Sequence, residues 1–199
     1  MALSPTTLPE TEAGRFSALT LNLRFGRAAD GPHRWEKRQP ALQSLLQAHG
    51  ADFMCFQEVM DFQATWLQAC LPDWGRIGLR PLAPPFWQNN LIFHHRRWAL
   101  RQADHFYLSP TPDIPSRART SRWPRQAVIG LFENTSGPLL VITTHLDFSE
   151  HAQQEAAEVL IQRLAGFPAE APALLLGDFN CAPDSACYRR LTAGRAPDV

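Results

Sequence analysis

The sequence predicts one layered domain of strands and helices whose polar chemistry gathers at a single rim. Three observations carry that expectation. The chain has 199 residues, 45% of them apolar, with six tryptophans, which is enough to bury a core. Its apolar residues fall in short runs suited to buried strands, interleaved with stretches of helical spacing. Four of the strand-like runs stop at a polar group: Asn22, Glu58, His145 with Asp147, and Asp178 with Asn180.

Residues 1–15 are mixed in Pro, Thr and Glu and lack the apolar centre of a signal peptide, so they read as a flexible tail ahead of a domain over 16–199. Phe16 to Asn22 alternates as a strand does, and Arg24 to Arg34, with Asp30-Gly31-Pro32, is a loop. Arg34 to His49 carries Leu42, Leu45 and Leu46 at helical spacing and stops at Gly50. Pro40 allows two readings, a helix that begins near Gln39 or one kinked at the proline.

Asp52 to Phe56 is a buried strand running into Gln57-Glu58, and Asp61 to Cys70 is a short helix closed by Pro72. The Pro- and Trp-rich stretch as far as Gln88 reads as loop. Asn89 to His94 and Gln126 to Glu133 read as strands separated by an Arg-rich segment. Leu139 to Thr144 is an apolar strand, Glu150 to Leu164 a helix, Ala173 to Leu176 a strand, and Asp184 to Leu191 the start of another helix.

Composition narrows the function classes. The formal charge is zero, which argues against coating nucleic acid by charge alone. From Arg76 to Arg125, however, nine arginines face only Asp104 and Asp113, an asymmetry that would suit either a solvated face or a phosphate-receiving rim. No apolar run approaches the ~18 residues of a membrane span, and without a secretion signal a cytoplasmic location is the default. Cys55, Cys70, Cys181 and Cys187 show neither CxxC nor metal-finger spacing and read as reduced thiols. His33, His49, His94, His95 and His105 earn no place in a site, since His94 and His95 point to opposite sides of a strand and the others fall in loops or helix ends.

In a layered fold the ends of neighbouring strands converge, so the four polar ends combine into one inventory of carboxylates, an imidazole and two amides. That set fits metal-assisted attack of water on a phosphate ester. Glu58 supplies an anionic oxygen ligand for Mg²⁺, with Asn22 helping directly or through water. Asp178 orients or deprotonates the water, while Asn180 and His145 donate hydrogen bonds to the phosphoryl oxygens.

These residues resemble the endonuclease/exonuclease/phosphatase superfamily of metal-dependent phosphodiesterases. The matching pieces are Leu-Thr-Leu-Asn22, Trp35-Glu36-Lys37-Arg38, Phe-Gln57-Glu58-Val, Thr-Thr-His145-Leu-Asp147 and Gly-Asp178-Phe-Asn180, in the family's order from residue 16 onward. The resemblance implies an α+β fold of four layers (α/β/β/α), a deoxyribonuclease I-like two-sheet sandwich flanked by helices with its site at one end. It implies Glu58 and Asn22 at the metal, with Mg²⁺ as cofactor and Mn²⁺ as the alternative, and His145, Asp178 and Asn180 as catalytic residues. Arg125, in Trp123-Pro124-Arg125, and Asp147 are candidates for substrate contact. The implied partner is a nucleotide, a nucleic acid or an inositol phosphate.

The sequence departs from the family at its C-terminal end. Nineteen residues follow Asn180, with no histidine among them, whereas family members continue with further strands and finish in an Asp-His pair. The expectation is therefore a C-terminally incomplete domain with weak or absent catalysis and a sheet edge open to self-association. The alternative is a catalytically inactive fragment serving as a metal- or anion-binding or interaction module.

Overall fold

A computed structural model describes residues 15–80, 84 and 86–193. Most of the stretch read as a tail lies outside these described residues. Among the described residues eight strands form two four-stranded sheets, each with one parallel pair at an edge.

The first sheet has the order β1 (Ala18–Asn22), β2 (Phe53–Val59), β4 (Asn89–His95), β3 (Trp74–Ile77), with β1 and β2 parallel. The second runs β5 (Ala99–Tyr107), β6 (Gln126–Asn134), β7 (Gly137–His145), β8 (Ala173–Asp178), with β7 and β8 parallel. Along the regular stretches, side-chain alternation then assigns the inward and outward positions.

Met54 and Phe56 face outward onto Trp35, Leu42 and Leu46 of α1 (Trp35–Ala48) and onto Ala64 and Leu67 of α2 (Asp61–Cys70). Phe53 and Cys55 face inward and meet Val128, Phe132, Leu139 and Val141 of the other sheet. Leu140 and Ile142 face outward onto Ala156, Ala157 and Leu160 of α3 (Glu150–Leu164), with Cys187 of α4 (Ala186–Thr192) in the same cluster. Three apolar layers between four structural layers give the α/β/β/α sandwich that the sequence led us to expect. Serine hydroxyls cap both C-terminal helices: Ser149 accepts from the Ala152 N–H and Ser185 from the Tyr188 N–H.

Two local expectations need correction, and two open ones narrow. The stretch read as loop before Gln88 contains β3, only four residues long and so too short to show a period. The Arg-rich segment contains β5, whose first five residues, Ala99 to Ala103, are all exposed and show no apolar–polar alternation, and this places His105 in a strand. Of the two readings of Pro40, the structure takes the one with the proline inside the helix, since α1 begins at Trp35. The arginines of that half of the chain are mostly committed to partners rather than gathered in a rim. Arg80 pairs with Asp61, Arg96 with Asp73, Arg97 with Asp52 and Arg101 with Glu133, while Arg76 and Arg117 donate to main-chain carbonyls.

Candidate active site

Parallel pairing decides where the polar ends go. Because β1 runs with β2 and β7 with β8, the C-terminal ends of all four strands lie on one side of the sandwich, and β1 and β2 contact β8 and β7 across it. Asn22, His145 and Asp178 share the inward parity of Thr20, Thr143 and Leu176, so all three project into the space between the sheets.

Glu58 breaks the alternation. On a regular strand it would follow Phe56 outward toward α1 and α2. Instead the β2 to β4 register shifts between Phe56 and Val59, and Glu58 takes a φ of 59°. A left-handed backbone at a non-glycine residue costs about 1–3 kcal/mol, which the surrounding sheet has to absorb. The turn carries the carboxylate round to Asn22.

At the centre is one amide between two carboxylates. Asn22 Nδ2 donates to Glu58 Oε1 at 3.0 Å and to Asp178 Oδ2 at 2.9 Å. Its own Oδ1 accepts from the Arg24 N–H at 2.8 Å, which fixes the amide's orientation. Glu58 Oε2 accepts from the Phe25 N–H at 2.7 Å, and Asp178 Oδ1 from the Asn180 N–H at 3.2 Å. His145 Nε2 lies 3.7 Å from Asp178 Oδ2.

Asn180 also has a left-handed backbone, φ 48°, which asparagine adopts more readily than most residues. Its Nδ2 donates to the Leu146 carbonyl at 3.0 Å, and its own carbonyl accepts from Gln153 Nε2 at 2.9 Å. Gly177 sits at φ 151° against β7, where an added Cβ would strike the Thr144 carbonyl oxygen. Only glycine lets β8 deliver Asp178 this close to β7.

His145 is buried, and burial pushes its imidazole down to about 4, with the Arg125 cation acting in the same direction and Asp178, Glu58 and Asp147 opposing. The ring is therefore neutral near pH 7. Arg125 and Asp147 stand one step back and face each other, with Arg125 Nε 3.5 Å from Asp147 Oδ2. Burial lowers the Arg125 pKa, against the pull of Asp147. Burial would raise the Asp147 pKa, but the Ser121 hydroxyl at 2.5 Å, the Ser149 N–H and Arg125 together hold it below the usual carboxylate range. Asp147 thus anchors the segment carrying Arg125, whose guanidinium lies over the Phe148 ring.

The structure brings Asn22, Glu58, His145, Asp178 and Asn180 together. It ties Arg125 and Asp147 to each other behind them. Two supporting residues escape a reading of strand ends alone. Gln57 points inward between the sheets and donates to Thr20 Oγ1 at 3.2 Å and Thr143 Oγ1 at 3.0 Å. An amide at an inward position of an apolar strand was the available signal. Gln153, on the buried face of α3, holds the Asp147 and Asn180 carbonyls, and nothing local in the sequence marks it.

A cleft of about 670 Å³ opens between the outer strands β1 and β8, lined by Thr20, Asn22, Gln57, Asp178, Asn180 and Cys181 among others. It reaches the polar group from the flank, and Glu58, His145 and Arg125 lie outside its lining. The donor set suits a hard cation. Among the described residues no three His, Cys, Asp or Glu side chains group closely enough to enclose a metal. Two carboxylate oxygens beside an amide match an ion that keeps several waters, as Mg²⁺ does. No helix among the described residues is long and apolar enough to cross a membrane.

The model of the Endonuclease/Exonuclease/phosphatase family matches residues 19–198. Among solved structures, a functionally unknown conserved protein from Enterococcus faecalis V583 is similar at 28% identity and TM-score 0.81, over 89% of this chain and 71% of that one. A mannosyl-6-phosphatase from Bacteroides thetaiotaomicron VPI-5482 is similar at 25% identity and TM-score 0.79, over 89% and 69%. A family protein from Bacteroides thetaiotaomicron is similar at 25% identity and TM-score 0.78, over 89% and 67%. No curated protein matches.

Proposed function

Since the chain belongs to the endonuclease/exonuclease/phosphatase family and has that family's sandwich, we propose that it hydrolyses small phosphate esters with the help of a divalent cation. The observation that carries this reading is the Asn22 amide held between the Glu58 and Asp178 carboxylates. Two carboxylates sharing one donor remain short of positive charge, which a cation would supply. Glu58 would hold Mg²⁺ or Mn²⁺, with Asn22 keeping the carboxylate turned toward the ion. A bound cation would neutralise charge building on the phosphoryl group and lower the pKa of a coordinated water.

The chain's own residues supply the remaining steps. Asp178 accepts the proton of the attacking water, and its second oxygen, tied to the Asn180 N–H, fixes the direction of attack. Neutral His145 and the second N–H of the Asn180 amide donate to the phosphoryl oxygens, and Arg125, held by Asp147, adds positive charge from behind. A small substrate is favoured over a polynucleotide because the arginines that would track a phosphate backbone are paired elsewhere. The likeness to a mannosyl-6-phosphatase supports a sugar-sized leaving group.

Hydrolysis of p-nitrophenyl phosphate and bis-p-nitrophenyl phosphate, with and without Mg²⁺ or Mn²⁺, tests the proposal against Asp178→Ala. Metal-stimulated turnover that vanishes in the variant supports it. Turnover untouched by the substitution sinks it, and metal binding without any turnover favours the binding-module alternative. The proposed partner surface is the flank where β1 and β8, the outermost strands of their sheets, leave leucines half-exposed. Pairing with a second copy there would give a molar mass by light scattering that rises with concentration, whereas a constant monomer mass at all concentrations rules it out.

A further inference from the structure

Phe148 directly follows Asp147, three residues after His145, and is 73% exposed, while Trp123, two residues before Arg125, is 49% exposed. Single exposed apolar residues are common on protein surfaces. These two, however, share one place and one support. Because β6 and β7 pair Ala127 with Thr144, the chain entering β6 and the chain leaving β7 lie side by side at the His145 end. The Ser121 hydroxyl lies 2.5 Å from both Asp147 Oδ2 and the Trp123 carbonyl, and it accepts from the Trp123 N–H at 3.3 Å. Each ring also has an arginine against it: the guanidinium carbon of Arg125 is 5.8 Å from the Phe148 centroid, and that of Arg122 is 5.2 Å from the Trp123 centroid.

We propose that Phe148, backed by Arg125, is a stacking platform for the leaving group, and that this group ends in a flat heterocycle, so that the substrate is a nucleoside monophosphate. The proposal rests on the hydrolase reading and deepens it. Ribose is then the sugar-sized group beside the phosphate, and the base lies beyond it on the ring.

The free face of the ring selects the partner. A cation against one face draws the π electrons toward itself, so the other face attracts an electron-rich flat ring in preference to a second cation or the C–H groups of a pyranose. Arg125 addresses the neighbouring part of the same ligand. Its side chain is 8% exposed, its Nε has no hydrogen-bond partner, and it meets Asp147 only as an ion pair at 3.5 Å. A guanidinium packed on a ring keeps its N–H groups at its edge, free to meet a phosphate oxygen. Ring and cation together thus read a flat group and an anion a short distance apart. Three residues of chain span at most about 10 Å, so Phe148 stays within a nucleoside's reach of His145. One platform takes one base, in keeping with arginines that are committed elsewhere rather than set out along a polynucleotide track.

Substrates that differ only in the base provide the test. AMP and ribose 5-phosphate share the phosphate and the sugar. Initial rates of phosphate release with Mg²⁺ should give a kcat/KM about tenfold or more higher for AMP, carried by KM, as stacking of one base on an aromatic ring provides. That ratio should collapse toward one in Phe148→Ala and return in Phe148→Trp. Because the residue is exposed, neither substitution disturbs the core. Equal kcat/KM for the two substrates in the unaltered chain overturns the proposal, as does a Phe148→Ala chain that slows on both and keeps the ratio. A preference for mannose 6-phosphate over AMP that Phe148→Ala removes also overturns it, since the platform then takes a pyranose face.

Binding is read separately, so that failure of the hydrolase reading is distinguishable from failure of the platform. Saturation-transfer NMR on AMP in EDTA, where metal-assisted turnover is stopped, reports which ligand protons touch the protein. The adenine protons should receive more saturation than the ribose protons, and that excess should vanish in Phe148→Ala. No such excess in the unaltered chain overturns the platform whatever the rates. An adenine excess in a chain that turns over none of the substrates sinks the hydrolase reading and upholds the base site.

Discussion

Two carboxylates flank the same strand and meet opposite fates. Asp52, just before β2, is fully buried and fully satisfied: Arg97 grips both its oxygens, the Ser17 N–H and hydroxyl donate to it, and Trp98 Nε1 adds a bond at 3.0 Å. Glu58, six residues on, receives one backbone N–H and half of a shared amide, with no cation paired to it among the described residues. The first carboxylate is finished by the protein and holds the fold. The second is left incomplete, on a backbone turned into the left-handed region to keep it so. Charge alone does not distinguish a structural acid from a functional one, but what the protein has already supplied to it does.

That contrast breaks most sharply under substitution. Glu58→Gln should cost about 1,000-fold or more in metal-stimulated turnover, as loss of one member of a cooperating set does. Its denaturation midpoint should barely move. Asp52→Ala should do the reverse, costing about 3–5 kcal/mol of stability because Arg97 loses its buried partner. Turnover per folded molecule should persist. Urea denaturation and initial rates on the same preparations decide it, and equal stability losses in the two variants would erase the distinction.

A smaller effect, in pH, sharpens the same comparison. The folded pKa of His145 is about 4 against an ordinary 6.5, so between those values the unfolded chain takes up a proton that the folded chain refuses. Stability therefore falls as pH drops from 6.5 to 4, and His94, His95 and His105, also pushed down by burial, add to the slope. For Asp52, burial alone would raise the pKa, but Arg97, Ser17 and Trp98 outweigh it and the net shift is downward. Its contribution is intact above the ordinary 3.8 and is lost only as pH falls further, through the folded value. Denaturation midpoints across pH should thus decline in two stages. His145→Gln should flatten the upper stage and leave the lower one in place.

The site was legible in the sequence because it sits where apolar runs end, and such endings are local. Asn22, Glu58, His145, Asp178 and Asn180 lie at or within two residues of a strand's end, and parallel pairing brings those ends together. What stayed hidden depends on contacts between distant residues. The Arg97 to Asp52 pair spans 45 positions and the Arg101 to Glu133 bond 32, so a run of arginines that the sequence left open between a solvated face and a phosphate-receiving rim is mostly committed to distant partners. The reach of Gln153 to two carbonyls emerges only once α3 is packed on the second sheet. The strand β5 was missed for the opposite reason: it lies at a sheet edge with half its length in solvent, where no alternation is required.

Gln57 has a mechanical consequence. Its amide bridges a hydroxyl on each sheet, one residue before Glu58 on β2 and two before His145 on β7, and so acts like a dowel between two boards. If the sheets slid past each other by the rise of one residue, about 3.3 Å, the bond to Thr143 would break, while that to Thr20 within the same sheet would hold, and Glu58 would be carried out of line with Asp178. The two halves of the site are therefore aligned by the joint that closes the sandwich, and they lose alignment only when that joint fails.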